Sequence, residues 1–211
     1  MLEDDFAHGR PPWEDAGVLL LDDVVPYELV KLRLLNASHQ APCHPGHLTG
    51  RRLVHEVCRG PAFAGYRLTD LDHYRRKLIS RFSDGSVRDT VVRLCAESSD
   101  RIPKWLVPVI RENLTAGRSV RYGAAMIATW ARYAEGIDED GAPVDVVDRL
   151  RERVLTAAAQ NRTDPLAFLR QRQLFLDLVD QPEFVEAYLE PLETLHDEGA
   201  AALVTGMSAP R

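Results

Sequence analysis

From Pro26 onward the apolar residues of this 211-residue chain recur at helical spacing, and one segment alone, Val18 to Leu21, has the length and bounds of a buried strand. A parallel sheet with crossover helices needs strands and helices in alternation, so this pattern excludes it and predicts a mainly α fold. No repeat of 20 to 50 residues is visible, which disfavours a helical array. No low-complexity linker divides the chain either. Residues 26–211 are therefore read as one multi-helix domain, preceded by an irregular arm and a single short strand at residues 1–25.

Punctuation places the elements. Pro26 suits a helix start, and Glu28 in the first turn complements the helix dipole. The opening helix is predicted over Tyr27 to about Gln40, stopped by Pro42 and Pro45. Further helices are expected at Leu53–Cys58, Leu71–Phe82, Val87–Cys95, Trp105–Leu114 after a boundary at Pro103, and Ser119–Glu135. Three more are expected over Val146 to Asn161, Pro165 to Asp180 and Pro182 to Leu203.

Charge narrows the partners. A net charge of −6 argues against a nucleic-acid partner, because phosphate binding draws on clustered positive charge. No apolar run approaches the ~20 residues of a membrane span. The acidic start, Met-Leu-Glu-Asp-Asp-Phe, is unlike a secretory signal, and the odd set Cys43, Cys58 and Cys95 fits a reducing compartment, so a cytoplasmic location is expected. Only Lys31, Lys77 and Lys104 are lysines among 26 basic residues. Lysine is the basic side chain whose pKa moves into a catalytic range on burial, so each one merits individual attention.

Lys31 stands on the predicted opening helix. At about 100° per residue, Glu28, His39 and Asn36 fall near 60°, 80° and 140° from it, so the four polar groups share one half of the helix. Such a strip reads either as a solvated face or as a site. The chemistry for a site is complementary: an amine as base, an amide and an imidazole as donors, and a carboxylate one turn back that could pass a proton.

The stretch Pro26-Tyr27-Glu28-Leu29-Val30-Lys31-Leu32-Arg33-Leu34-Leu35-Asn36-Ala37-Ser38-His39 resembles the signature K-x4-N-x2-H of the long-chain polyol dehydrogenases related to mannitol 2-dehydrogenase, a family that includes fructuronate and tagaturonate reductases. Arg81 to Asp89, Arg93-Leu94-Cys95, Ser98 to Leu106, and Thr129 to Tyr133 followed by Gly136-Ile137-Asp138 resemble further family blocks, in family order. The resemblance implies the helical C-terminal substrate domain of that family. It implies Lys31 as general base for a polyol hydroxyl while a hydride passes to NAD or NADP, with Asn36 and His39 binding the oxygen. Glu28 would relay the proton, and Arg93 and, less strictly, Arg101 would bind the polyol or ketose.

The pattern is departed from in three places. There is no Gly-x-Gly-x-x-Gly turn after a strand, so the family's dinucleotide-binding domain is missing and the chain reads as beginning near its junction. Ala41-Pro42-Cys43-His44-Pro45-Gly46 replaces an apolar helical continuation, and the segment between Gly65 and Leu71 is shorter than in family members. The reading is therefore a polyol dehydrogenase half, inactive unless a separate Rossmann-domain chain supplies the cofactor. The alternative is a truncated, non-enzymatic helical module for binding or dimerisation. An exposed apolar face is expected where the strand and the site-bearing helix would meet the missing domain. Cys43, His44, His47, His55 and Cys58 match no standard ligand spacing, and no metal is expected.

Overall fold

A computed structural model describes the backbone of residues 1–30, 37–60 and 79–208, and their side chains except at 30, 37–39 and 208. Leu2–Glu3 (β1) pairs in parallel with Leu20–Leu21 (β2), and a 3-10 turn, Trp13–Ala16, lies between them. The arm is thus more ordered than expected. The predicted strand is shorter, and it is half-buried, with Leu19 exposed.

The helices follow as α1 (Val25–Val30), α2 (Ala37–Leu48), α3 (Val54–Arg59), α4 (Val91–Cys95), α5 (Ser98–Trp105) and α6 (Val107–Thr115). Then come α7 (Arg121–Tyr133), α8 (Arg151–Ala158), α9 (Arg172–Phe175), α10 (Pro182–Asp197) and α11 (Ala200–Ser208). The mainly helical expectation holds. None of the described helices is long and apolar enough to cross a membrane. Most of the predicted helix Leu71–Phe82, and the segment between Gly65 and Leu71, lie outside the described residues.

Several boundaries differ, each for a physical reason. Pro42 and Pro45 do not end a helix: both lie inside α2. A proline there forfeits a backbone hydrogen bond and crowds the preceding turn, a local cost. The repayment is tertiary, since every residue from Gln40 to Gly46 is buried as α2 packs on α3, α4, α5, α7 and α11. Pro103 likewise lies inside α5 rather than at its edge. The helix expected from Val87 starts only at Val91, where the Thr90 hydroxyl accepts the N–H of Arg93 at 3.3 Å. The helix expected from Val146 begins only at Arg151, with Leu150 at its N-cap position, because Asp148 is engaged in a turn just before it. The Asp148 carboxylate accepts the N–H groups of Ser99 and Leu150 at 2.9 and 2.8 Å, tying this segment to the start of α5. Between Pro165 and Asp180 only α9 and a short 3-10 turn form, since Leu176 takes a φ of 56°, which no α-helix passes through. The last predicted helix is cut in two by Gly199 at φ 88°.

The core centres on α7 and α10. Trp130 meets Phe168 and Phe175 edge-on at ring-centroid distances of 5.0 and 5.6 Å, and Phe184 stacks with Tyr188 in the same buried layer. This layer positions α2 from beneath: α7 carries Tyr133, whose ring touches His44 and His47 of α2 at 5.1 and 5.2 Å.

Candidate active site

Glu28 sits on α1, exposed to solvent. Lys31 and Asn36 lie outside the described residues. His39 stands in the first turn of α2, and its side chain is outside those described. The polar strip is therefore bracketed: its first member on α1, its last at the start of α2.

Arg93 and Arg101 come together next to α2. The short helix α4 ends at Cys95, and the carbonyls of a helix's last turn have no donors within it. Each finds one here. Arg101 Nη1 donates to the Leu94 and Arg93 carbonyls at 3.1 and 3.4 Å, and the Ser98 hydroxyl donates to the Cys95 carbonyl at 2.8 Å. Gln40, the neighbour of His39, donates its Nε2 to the Leu94 carbonyl at 3.1 Å. One main-chain oxygen thus receives the amide next to His39 and the guanidinium of Arg101. Arg93, one residue away, is held in a two-point ion pair with Asp89, its Nε on Oδ1 at 2.6 Å and a second contact from Nη2 to Oδ2. That pairing fixes the guanidinium on an exposed face of α4.

Below this junction lies a buried polar set that sequence reading divided differently. Cys43, His44 and Cys95 bring their Sγ, ring-nitrogen and Sγ atoms within 4.8 Å of one another, all fully buried. Burial alone raises a thiol's pKa. At Cys43 the hydrogen bond from Cys95 and the proximity of His44 overcome that and hold it below the ordinary thiol range, whereas Cys95, buried beside Cys43, is pushed above it. Cys58 stands apart, raised to about 11 by burial. His47 is displaced downward by burial and by His44, against a smaller opposing pull from Asp138. Gln40, Cys95 and Ser98 were not legible as site residues, because nothing in one sequence says that α4 and α5 pack on α2.

The Thr129–Tyr133 and Gly136–Asp138 blocks serve the scaffold. Arg132, buried in α7, donates to the Ile137 and Asp138 carbonyls at 2.9 and 3.3 Å and faces Glu135 at 3.4 Å. Glu135 in turn contacts His196 Nε2 at 2.7 Å and accepts from Asn161 at 3.1 Å. The block closes the turn after α7 on itself and pins it to α10.

Known proteins resemble this chain in both sequence and fold. Residues 61–196 match the family described as mannitol dehydrogenase C-terminal domain. Mannitol dehydrogenase 2 of Saccharomyces cerevisiae is 35% identical over 222 residues, spanning 97% of this chain and 44% of the relative. D-mannonate oxidoreductase of Escherichia coli is 32% identical, spanning 98% and 46%. Among solved structures, Pseudomonas fluorescens mannitol 2-dehydrogenase in a ternary complex with NAD and D-mannitol superposes with a TM-score of 0.87 at 32% identity, over 98% of this chain and 46% of that one. A substrate-free D-sorbitol dehydrogenase gives 0.84 at 25% identity over 96% and 46%. The chain thus spans less than half the length of these relatives. Its matched residues and its helical architecture agree in what they are part of: the chain belongs to the mannitol dehydrogenase C-terminal domain family.

Proposed function

We propose that this chain is the substrate half of an NAD(P)-dependent polyol dehydrogenase of the mannitol 2-dehydrogenase type, interconverting a polyol and a ketose with Lys31 as general base. The observation that carries the reading is the Leu94 carbonyl, which joins the side chain next to His39 to Arg101, with Arg93 on the same helical turn. Residues separated by more than fifty positions in sequence are thereby gathered at one place, as a substrate site requires.

The residues described do not fit a dinucleotide site. Their sheet consists of two strands of two residues each, and the sequence has no Gly-x-Gly-x-x-Gly turn. The cofactor, NAD or NADP, is accordingly assigned to a separate Rossmann-type body, and this chain's part is confined to the hydroxyl. Lys31 as the free amine takes the hydroxyl proton, and Glu28, three residues earlier in the chain and open to water, passes that proton to solvent. Asn36 and His39 donate to the substrate oxygen and hold its growing negative charge. Arg93 and Arg101 meet the remaining hydroxyls of the polyol. Covering by a second body would desolvate Lys31 and lower its pKa toward the working range. Exposed apolar side chains on the arm and α1, Leu2, Leu19, Val25, Tyr27 and Leu29, support such a cover.

The test mixes the purified chain with mannitol or fructose and NAD(H), alone and with a cofactor-domain half taken from the Pseudomonas fluorescens enzyme. No turnover alone, turnover on addition of that half, and its loss in Lys31→Ala support the proposal. Absence of turnover in both mixtures overturns it. Self-association through the same exposed side chains without turnover would favour the dimerisation module instead.

A further inference from the structure

We propose that Cys43, His44 and Cys95 supply three ligands of a structural site for a d10 metal ion, zinc(II), in the packed interior between α2 and α4. The sequence pairs adjacent ligands on one helix with a third far along the chain, a spacing that no short motif would flag. The fold supplies what the spacing hides, since the three ligand atoms all lie within 4.8 Å of one another.

Geometry and chemistry agree on the ion. With Zn–S near 2.3 Å and Zn–N near 2.0–2.1 Å, a tetrahedral ion holds its sulfur and nitrogen ligands about 3.6 Å apart and two sulfurs about 3.8 Å apart. Cys43 Sγ and His44 Nδ1 are 3.6 Å apart. Thiolate and imidazole together select soft and borderline ions over magnesium or calcium. Two thiolates neutralise a divalent ion, which matters where all three ligand residues are 0–2% exposed. Binding releases the two thiol protons to solvent.

The surroundings orient the ligands as an outer shell does. The Ser98 hydroxyl spends its proton on the Cys95 carbonyl at 2.8 Å, leaving its oxygen to accept from His44 Nε2–H at 3.0 Å. That fixes the tautomer, with the Nδ1 lone pair turned toward Cys43. Gln40 lines the same place twice: its Nε2 donates to Leu94, which leaves its Oε1 3.9 Å from Cys43 Sγ, and its main-chain carbonyl lies 3.0 Å from that sulfur, so the fourth position is bordered by oxygens. A metal here would staple α2, a helix that lacks two backbone donors at Pro42 and Pro45, to α4.

The test measures metal content by mass spectrometry in the full chain, purified under reducing conditions without a metal-affinity step. One zinc per chain is expected, lost in Cys95→Ser and kept in Cys58→Ser. Should Cys95→Ser fail to fold, cobalt(II) added to the metal-stripped wild type decides: thiolate-to-cobalt charge-transfer bands with intense tetrahedral ligand-field bands are expected. Substoichiometric zinc together with a cobalt spectrum lacking thiolate bands overturns the proposal. So does zinc retained in a folded Cys95→Ser chain, or a Cys43–Cys95 disulfide in the reduced preparation.

Discussion

The layer around α7 and α10 and the first thirty residues are equally apolar to the eye, yet they bury their side chains in opposite ways. Trp130, Phe168, Phe175, Phe184 and Tyr188 are wholly withdrawn from solvent, each against another ring. Val25, Tyr27 and Leu29 on α1 remain 53%, 41% and 38% exposed, and the arm before them is held by two-residue strands and by Arg10 paired with Asp4 and Glu14. Exposed ion pairs of that kind contribute little to stability. The difference teaches that hydrophobic patterning states a need for burial without stating what provides it. In the helical layer the provider is the chain itself; on α1 it is not.

The largest effect that sharpens this contrast comes from Trp130→Ala. It removes a fully buried ring and leaves a cavity between Phe168 and Phe175, and should cost about 3–5 kcal/mol in denaturant unfolding. A loss below about 1 kcal/mol would mean that the layer is not the core. Gly46→Ala, inside α2, comes next. An added Cβ would stand 2.5 Å from Cγ2 of Val57, a branched side chain with little freedom to turn away. Overpacking of about 1–3 kcal/mol outweighs the gain in helix propensity of up to about 1 kcal/mol. The net destabilisation should couple favourably with Val57→Ala in a double-mutant cycle; simple additivity would deny the contact. The smallest effect belongs to Tyr27→Ser and Leu29→Ser, which should leave the stability of the free chain within about 0.5 kcal/mol while weakening its association with a cofactor-domain half. A stability loss as large as that of Trp130→Ala would erase the contrast.

These elements also show what could be read from sequence. The Ala-rich helix α7 was legible because its apolar residues, glycine stop and length all point the same way. The prolines of α2 misled because the proline rule is local, whereas the burial that overrides it is contributed by helices far off in sequence. The segment around Leu176 misled for the converse reason: its spacing is helical, but a positive φ breaks the run, and no glycine marks the place. For the proposed site, Arg93 and Arg101 are suggested only by family resemblance, since surface arginines look alike. The grouping of Gln40, Ser98 and Cys95 around α2 could be found only in three dimensions, because buried polar residues carry no periodicity of their own.

The junction at Leu94 has a consequence for how this protein tolerates change. The acceptor shared by Gln40 and Arg101 belongs to the main chain, so no side-chain substitution at position 94 can remove it. An alanine scan would score that position by its lost packing alone and pass over the polar junction entirely. The link between the start of α2 and the arginines of α4 and α5 is thus insulated from point mutation at its centre. It is vulnerable only at its periphery, where Gln40 and Arg101 supply the donors.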